Sequence, residues 1–118
     1  MKISQTVEVS RITTEEVLVR IERGEPIVFI DARNEKDWNG SDVKLPGAVR
    51  VEAGRVGEHL AEIPKGRSIL TYCTCPHEES GAKAAQELMQ LGYEDVHALH
   101  GGLEAWKKGG GTLEHKPA

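Results

Sequence analysis

Cysteine is scarce in this chain: Cys73 and Cys75 are the two thiols among 118 residues. Two cysteines cannot build a disulfide framework, and a bridge between these two would close a very small, strained ring. That usage fits a reducing compartment, and the expectation is a cytoplasmic protein. Long hydrophobic runs are also missing. Nothing approaches the ~18 consecutive apolar residues of a membrane-spanning helix. Met1–Ser10 holds no hydrophobic signal core, so secretion is not indicated. Positive charge is in deficit, with 15 Lys and Arg against 19 Asp and Glu and a net charge of −4. A negative chain without a basic cluster is a poor ligand for phosphate backbones, so neither nucleic acid nor membrane is expected as a partner. Internal repeats and low-complexity segments are absent. What remains is a soluble globular composition, 38% hydrophobic and 29% charged. Its length suits a single domain, since these cluster at about 100–150 residues.

Short strand-like runs alternate with helical ones. Thr13 followed by Glu16 is a capping box, the hydroxyl and the carboxylate satisfying orphan amides at a helix start. Val17, Leu18 and Ile21 form one apolar face, and Gly24 ends that helix. Ile27–Ile30 is a continuous apolar run, as expected of a strand covered on both faces. A short polar helix falls around Asn34–Trp38, and Gly40–Gly47 reads as loop. Ala48–Val51 is a short strand, Val56–Ile63 a helix ended by Pro64 and Gly66, and Ser68–Tyr72 a further strand. Ala82, Ala85, Leu88, Met89 and Leu91 have helical spacing, closed by Gly92. Val96–Leu99 is a last strand. Leu103, Ala105 and Trp106 mark a final helix, with Trp106 expected in the core. From Gly109 onward the glycine-rich, polar sequence is expected to fray. Strands alternating with helices give an α/β layered fold around a mainly parallel sheet, whose sites gather where strands end and helices begin.

Chemistry concentrates in Leu70–Lys83. Cys73 follows a buried strand, and a helix opens some seven residues later. A connecting loop there can turn its backbone N–H groups toward one sulfur, and such amide nests and helix N-termini favour negative charge. The thiolate is the attacking form of cysteine, so the placement favours reactivity. Equally, Cys73 can serve as a small buried hydrophobe. Cys73, Cys75 and His77 offer three metal ligands, but no second ligand pair follows at the spacing structural zinc needs, so no metal is expected. Cys75 could also act as a resolving thiol toward an oxidised or sulfur-loaded Cys73. Asp31 and Arg33 flank a strand end near the loop base and read as a structural ion pair.

These residues together resemble the single-domain rhodanese family of sulfurtransferases. The resemblance runs from about Val7 to Lys108. It is carried by Ile30-Asp31-Ala32-Arg33, Trp38, Leu45-Pro46-Gly47-Ala48, Tyr72-Cys73, Ala82-Lys83-Ala84-Ala85, Leu91-Gly92-Tyr93 and His100-Gly101-Gly102-Leu103-Glu104-Ala105-Trp106. It implies a three-layer fold, a five-stranded mainly parallel sheet with helices on both faces. One rhodanese-like domain over 1–118 follows, with its core at about 7–108 and 109–118 as a flexible tail. It also implies that Cys73, rather than Cys75, is the nucleophile. Cys73 would take a sulfane sulfur from a donor such as thiosulfate or a thiol persulfide, and pass it to cyanide, a thiol or a protein acceptor. The binding loop would run through Thr74, Cys75, Pro76, His77, Glu78, Glu79, Ser80 and Gly81, holding the extra sulfur with main-chain amides. No metal or organic cofactor is needed for this.

The loop departs from the family pattern. Active members commonly carry a glycine and an arginine between the cysteine and the serine that opens the helix. Here that span is about one residue longer and holds Glu78 and Glu79. A carboxylate about 8 Å from the sulfur, at an effective ε of about 40, raises the energy of the thiolate by roughly 1 kcal/mol. An anionic donor such as thiosulfate meets the same repulsion. His77, when protonated, would offset it or protonate a leaving thiol. Pro76 removes one amide donor and stiffens the loop. Related phosphatases and arsenate reductases of this fold place an arginine six residues after the cysteine. Glu79 stands there, which disfavours oxyanion chemistry. Two other classes stay open: a non-catalytic rhodanese-like binding module, and a Cys73/Cys75 thiol redox protein.

Overall fold

A computed structural model describes residues 9–74 and 79–116, the side chain of Glu79 excepted. Five strands form a wholly parallel sheet in the order β1-β6-β5-β2-β4. They are β1 (Arg11–Ile12), β2 (Ile27–Asp31), β4 (Val49–Arg50), β5 (Ser68–Tyr72) and β6 (Val96–Leu99). The helices are α1 (Thr14–Glu22), α2 (Glu35–Asn39), α3 (Glu79–Gln90) and α4 (Gly102–Lys108). The α/β fold with a five-stranded parallel sheet is therefore as the sequence implies.

Alternation along the strands divides the core into two layers. Ile30, Ile69 and Val96 pack with Ala84, Ala85 and Leu88 of α3 on one face. Phe29, Leu70 and Leu99 pack with Val17 of α1 and Leu103 and Trp106 of α4 on the other. β5 has two strands on either side of it, so both its faces and both its edges are covered. The α1 start is the expected capping box, with Glu16 N donating to Thr13 Oγ1 (3.2 Å) and Thr13 N donating to Glu16 Oε1 (3.0 Å). Gly92, at φ +96, ends α3 in a conformation that side chains disfavour. Trp106 is buried as expected, its ring edge-on to Phe29 at 5.7 Å between centroids.

Four elements differ from expectation, the first being Gly40–Gly47, expected as loop, in which Val43–Lys44 forms a two-residue strand because its pairing partner lies about 70 residues on. Val56–Ile63 is two 3-10 turns, Val56–Glu58 and Leu60–Glu62, rather than an α-helix. Gly57 lowers helix propensity there, and neither turn has a side-chain cap, while buried Val56 and Ile63 anchor the segment at its ends. β1 was not anticipated, because two residues carry no readable period. The expected fraying after Gly109 also needs correction for the described residues. Glu114–His115 is a strand, β7, antiparallel to β3 (Val43–Lys44). Gly111 N donates to Trp106 O (2.9 Å) and Trp106 Nε1 to Thr112 O (2.7 Å), which leads the chain back toward β3.

Candidate functional site

Cys73 directly follows β5 at the carboxyl edge of the sheet, where parallel α/β folds build their sites. It is a thiol rather than a disulfide and is 5% exposed. Its main chain is held on several sides. Leu103 N, in the first turn of α4, donates to Cys73 O (2.9 Å), and Ala32 N donates to Tyr72 O (2.8 Å). α3 closes from the other face. Thr71 Oγ1 donates to Gly81 O (2.7 Å), and a Cβ on Gly81 would lie 3.4 Å from the Tyr72 backbone and 3.6 Å from Cys73 N. The first turn of α3 thus lies against the backbone of the candidate nucleophile, at a distance where a Cβ on Gly81 would make ordinary van der Waals contact.

Of the expected loop, Thr74 is half-buried, Glu79 and Ser80 open α3, and Gly81 is buried. Cys75, Pro76, His77 and Glu78 lie outside the described residues, as does the side chain of Glu79. Among the described residues no three His, Cys, Asp or Glu side chains are grouped to hold a metal. His97 is engaged far from this end of the strand, with Asp95 Oδ1 and Ser10 Oγ each 2.9 Å from its ring nitrogens.

Beneath the site lies a buried polar cluster. Asp31 and Arg33 are 0% and 1% exposed. Arg33 Nη2 donates to Asp31 Oδ2 (2.7 Å) and to Val43 O (2.9 Å), and Arg33 Nε donates to Asp31 Oδ1 (3.0 Å). Burial works against the Arg33 charge, but hydrogen bonding and Coulomb attraction to Asp31 outweigh it and raise the pKa. Tyr72 is the hub that the sequence reading missed as a chemical group. Its hydroxyl donates to Asp31 Oδ2 (2.7 Å) and accepts from Leu45 N (3.1 Å). Burial first, and then the Asp31 charge, push its pKa upward, so the phenol stays protonated. An aromatic residue before Cys73 was visible in the sequence. Its partners lie 41 and 27 residues away, and no local pattern encodes them. Around this cluster, Trp38 takes the guanidinium carbons of Arg33 and Arg50 and Lys116 Nζ at 5.2, 5.0 and 4.2 Å from its ring centroid.

A cleft of about 630 Å³ lies at the opposite, amino end of the sheet, between Lys65–Ser68 and Gly92–Asp95. Its lining includes Glu25, Lys65, Arg67, Glu94 and Asp95, charges of both signs, and no cysteine.

The arrangement is that of a parallel α/β protein presenting a cysteine at the carboxyl end of its central strand, under a helix start. The chain belongs to the rhodanese-like family, whose model (Rhodanese-like domain) matches residues 13–109. It is similar to a sulfurtransferase of Allochromatium vinosum, with 30% identity over 105 residues covering 86% of this chain and 92% of that protein. It is also similar to a probable adenylyltransferase/sulfurtransferase, MoeZ, of Mycobacterium tuberculosis. There the identity is 29% over 110 residues, covering 89% of this chain and 26% of that protein. The chain thus spans about a quarter of that relative's length. The solution structure of the rhodanese-like domain of the Anabaena protein Alr3790 matches with a TM-score of 0.74 at 29% identity, over 94% of this chain and 86% of that one.

Proposed function

We propose that this protein, taken as one domain over residues 1–118, transfers a sulfane sulfur through a persulfide on Cys73. The Cys73 thiolate attacks the outer sulfur of a thiol persulfide or of thiosulfate. A Cys73 S–S bond forms while the donor's S–S bond breaks, and its electron pair leaves with the thiolate or with sulfite. An acceptor nucleophile (a thiol, cyanide, or a thiol of an acceptor protein) then takes the outer sulfur and returns Cys73 to thiolate. The transfer is redox-neutral overall and needs no metal or organic cofactor. The residues from Thr74 through Cys75, Pro76, His77, Glu78, Glu79 and Ser80 to Gly81 are the proposed sulfur cradle. Asp31 and Arg33 are proposed as its structural base.

The observation that carries this reading is the position of Cys73, at the end of β5 and against the first turn of α3, in a chain of this family. The sulfurtransferase names of its relatives support the same chemistry. Acidic Glu78 and Glu79 repel dianionic thiosulfate, and a thiol-bound persulfide suits the loop no worse on Coulomb grounds. The test is the intact mass after incubation with glutathione persulfide and, separately, thiosulfate. The wild type should gain one sulfur, from the persulfide no more slowly than from thiosulfate, and Cys73→Ser should gain none. A Cys73→Ser chain that still took up sulfur on Cys75 would move the nucleophile. No uptake from either donor would withdraw the enzymatic reading and leave a binding module.

A further inference from the structure

Strand β7 is separated from Cys73 by more than 40 residues of chain, yet hydrogen bonds joined by short stretches of main chain connect them. Glu114 Oε1 accepts from Gly47 N (2.9 Å), and Glu114 Oε2 lies 3.3 Å from Lys44 Nζ. The Lys44 ammonium also donates to Ala48 O (2.9 Å), so one side-chain pair spans the turn from Lys44 to Ala48. Lys116 N donates to Asp42 O (2.8 Å), and Lys116 Nζ donates to Trp38 O. Segment 42–48 is thereby held from outside by β7. From inside, its main chain serves the buried cluster: Val43 O accepts from Arg33 Nη2, and Leu45 N donates to the Tyr72 hydroxyl. Tyr72 is covalently next to Cys73.

We infer that β7, chiefly through Glu114, positions Cys73: it clamps Val43 and Leu45 at the one placement that completes the hydrogen bonds of Arg33 and Tyr72, and so sets the end of β5. Glu114 is a positioning residue and touches no reacting atom. If the clamp opens, Leu45 N and the Arg33 guanidinium each lose a buried partner, and the Tyr72–Cys73 peptide loses a constraint on its direction. The inference goes beyond sulfur transfer and rests only on Cys73 being accessible to a small electrophile.

The test is a double-mutant cycle on the full chain, read as the pH profile of Cys73 alkylation by iodoacetamide. Cys75 is replaced by Ser in every background so that one thiol reports. Glu114→Pro removes the carboxylate and bars a ladder amide; Tyr72→Phe removes the hydroxyl at the other end of the relay. Glu114→Pro should move the midpoint or the high-pH plateau, slowing alkylation at neutral pH by roughly tenfold if the midpoint rises about one unit. In the Tyr72→Phe background the same substitution should add little. A Glu114→Pro profile that overlays the wild type would overturn the inference, as would an effect fully additive with Tyr72→Phe. If Glu114→Pro loses its near-ultraviolet circular dichroism, the cycle is run with Glu114→Ala, which removes the acceptor for Gly47 N and keeps the backbone amide, and a shift of the same sign and non-additivity are still required. Failure of sulfur transfer is read separately, by the absence of sulfur uptake in the wild type. It leaves this alkylation comparison intact.

Discussion

At the scale of single residues, the most constrained groups are those beneath Cys73. Asp31 and Arg33 are both withdrawn from water and bound to each other through three guanidinium contacts and the Arg33 main-chain amide. Such a pair adds little net stability over an apolar substitute, but breaking one side leaves the other charge stranded. Arg33→Met should therefore lower unfolding free energy by about 3–5 kcal/mol, read as a fall in the urea midpoint. A loss below ~1 kcal/mol would mean that water or a neighbouring donor reaches the Asp31 carboxylate. Tyr72 adds the contact that ties this pair to segment 42–48, and its neighbour Cys73 inherits that rigidity through the main chain. That rigidity suits the nucleophilic role proposed for Cys73, since reacting groups must be held in place before a donor arrives.

At the scale of elements, two short pieces matter more than their lengths suggest. α3 reaches Cys73 through its first turn, where Gly81 O accepts from Thr71 Oγ1 and the Gly81 backbone packs beside Tyr72 and Cys73. β7 reaches β3 because Gly111 allows the chain to cross the Trp106 ring. A Cβ there would fall 2.1 Å from Trp106 Cε2, and the indole is too rigid and too deeply buried to yield. Gly111→Ala should displace the segment leading into β7 and lower stability by about 1–3 kcal/mol, the range for overpacking a filled site. Amide exchange would check it: faster exchange at Lys116, whose N–H bonds Asp42 O, with β5 left protected. Unchanged protection at Lys116 would show that the crossing tolerates a methyl group.

At the scale of the whole molecule, the net charge is negative and several carboxylates are tied into the fold. Glu16 is held below its ordinary pKa by the Thr13 backbone amide, Asp95 by the Ser68 hydroxyl and His97, and Glu114 by the Gly47 amide and Lys44. Each binds protons less readily folded than unfolded. Its contribution to stability is therefore fully present above the unfolded carboxylate pKa and is lost as pH falls through the folded value. The urea midpoint should stay level near neutrality and fall below about pH 4.5, and Asp95→Asn should flatten that acid limb. A midpoint constant down to ~pH 3 would contradict the assignment. Among the described residues, no helix is long and apolar enough to cross a membrane.

By itself the sequence determined the layered parallel fold and the position of Cys73 at a strand end, because burial on both faces and helical spacing are written in consecutive residues: Ile27–Ile30, Ser68–Tyr72, and Ala82 through Leu91. The capping box at Thr13 was legible for the same reason, its partners being three residues apart. Only the tertiary structure decided what Tyr72, Gly81 and Glu114 do. Tyr72 finds Asp31 and Leu45, Gly81 finds the β5 backbone, and Glu114 finds Gly47 across 67 residues. Contacts of that separation follow from how the strands stack and how the chain returns, and a glycine-rich run such as 109–112 shows no period by which to foresee it. The same limit explains Val56–Ile63, where two anchors bind the core and the residues between them settle into tight turns.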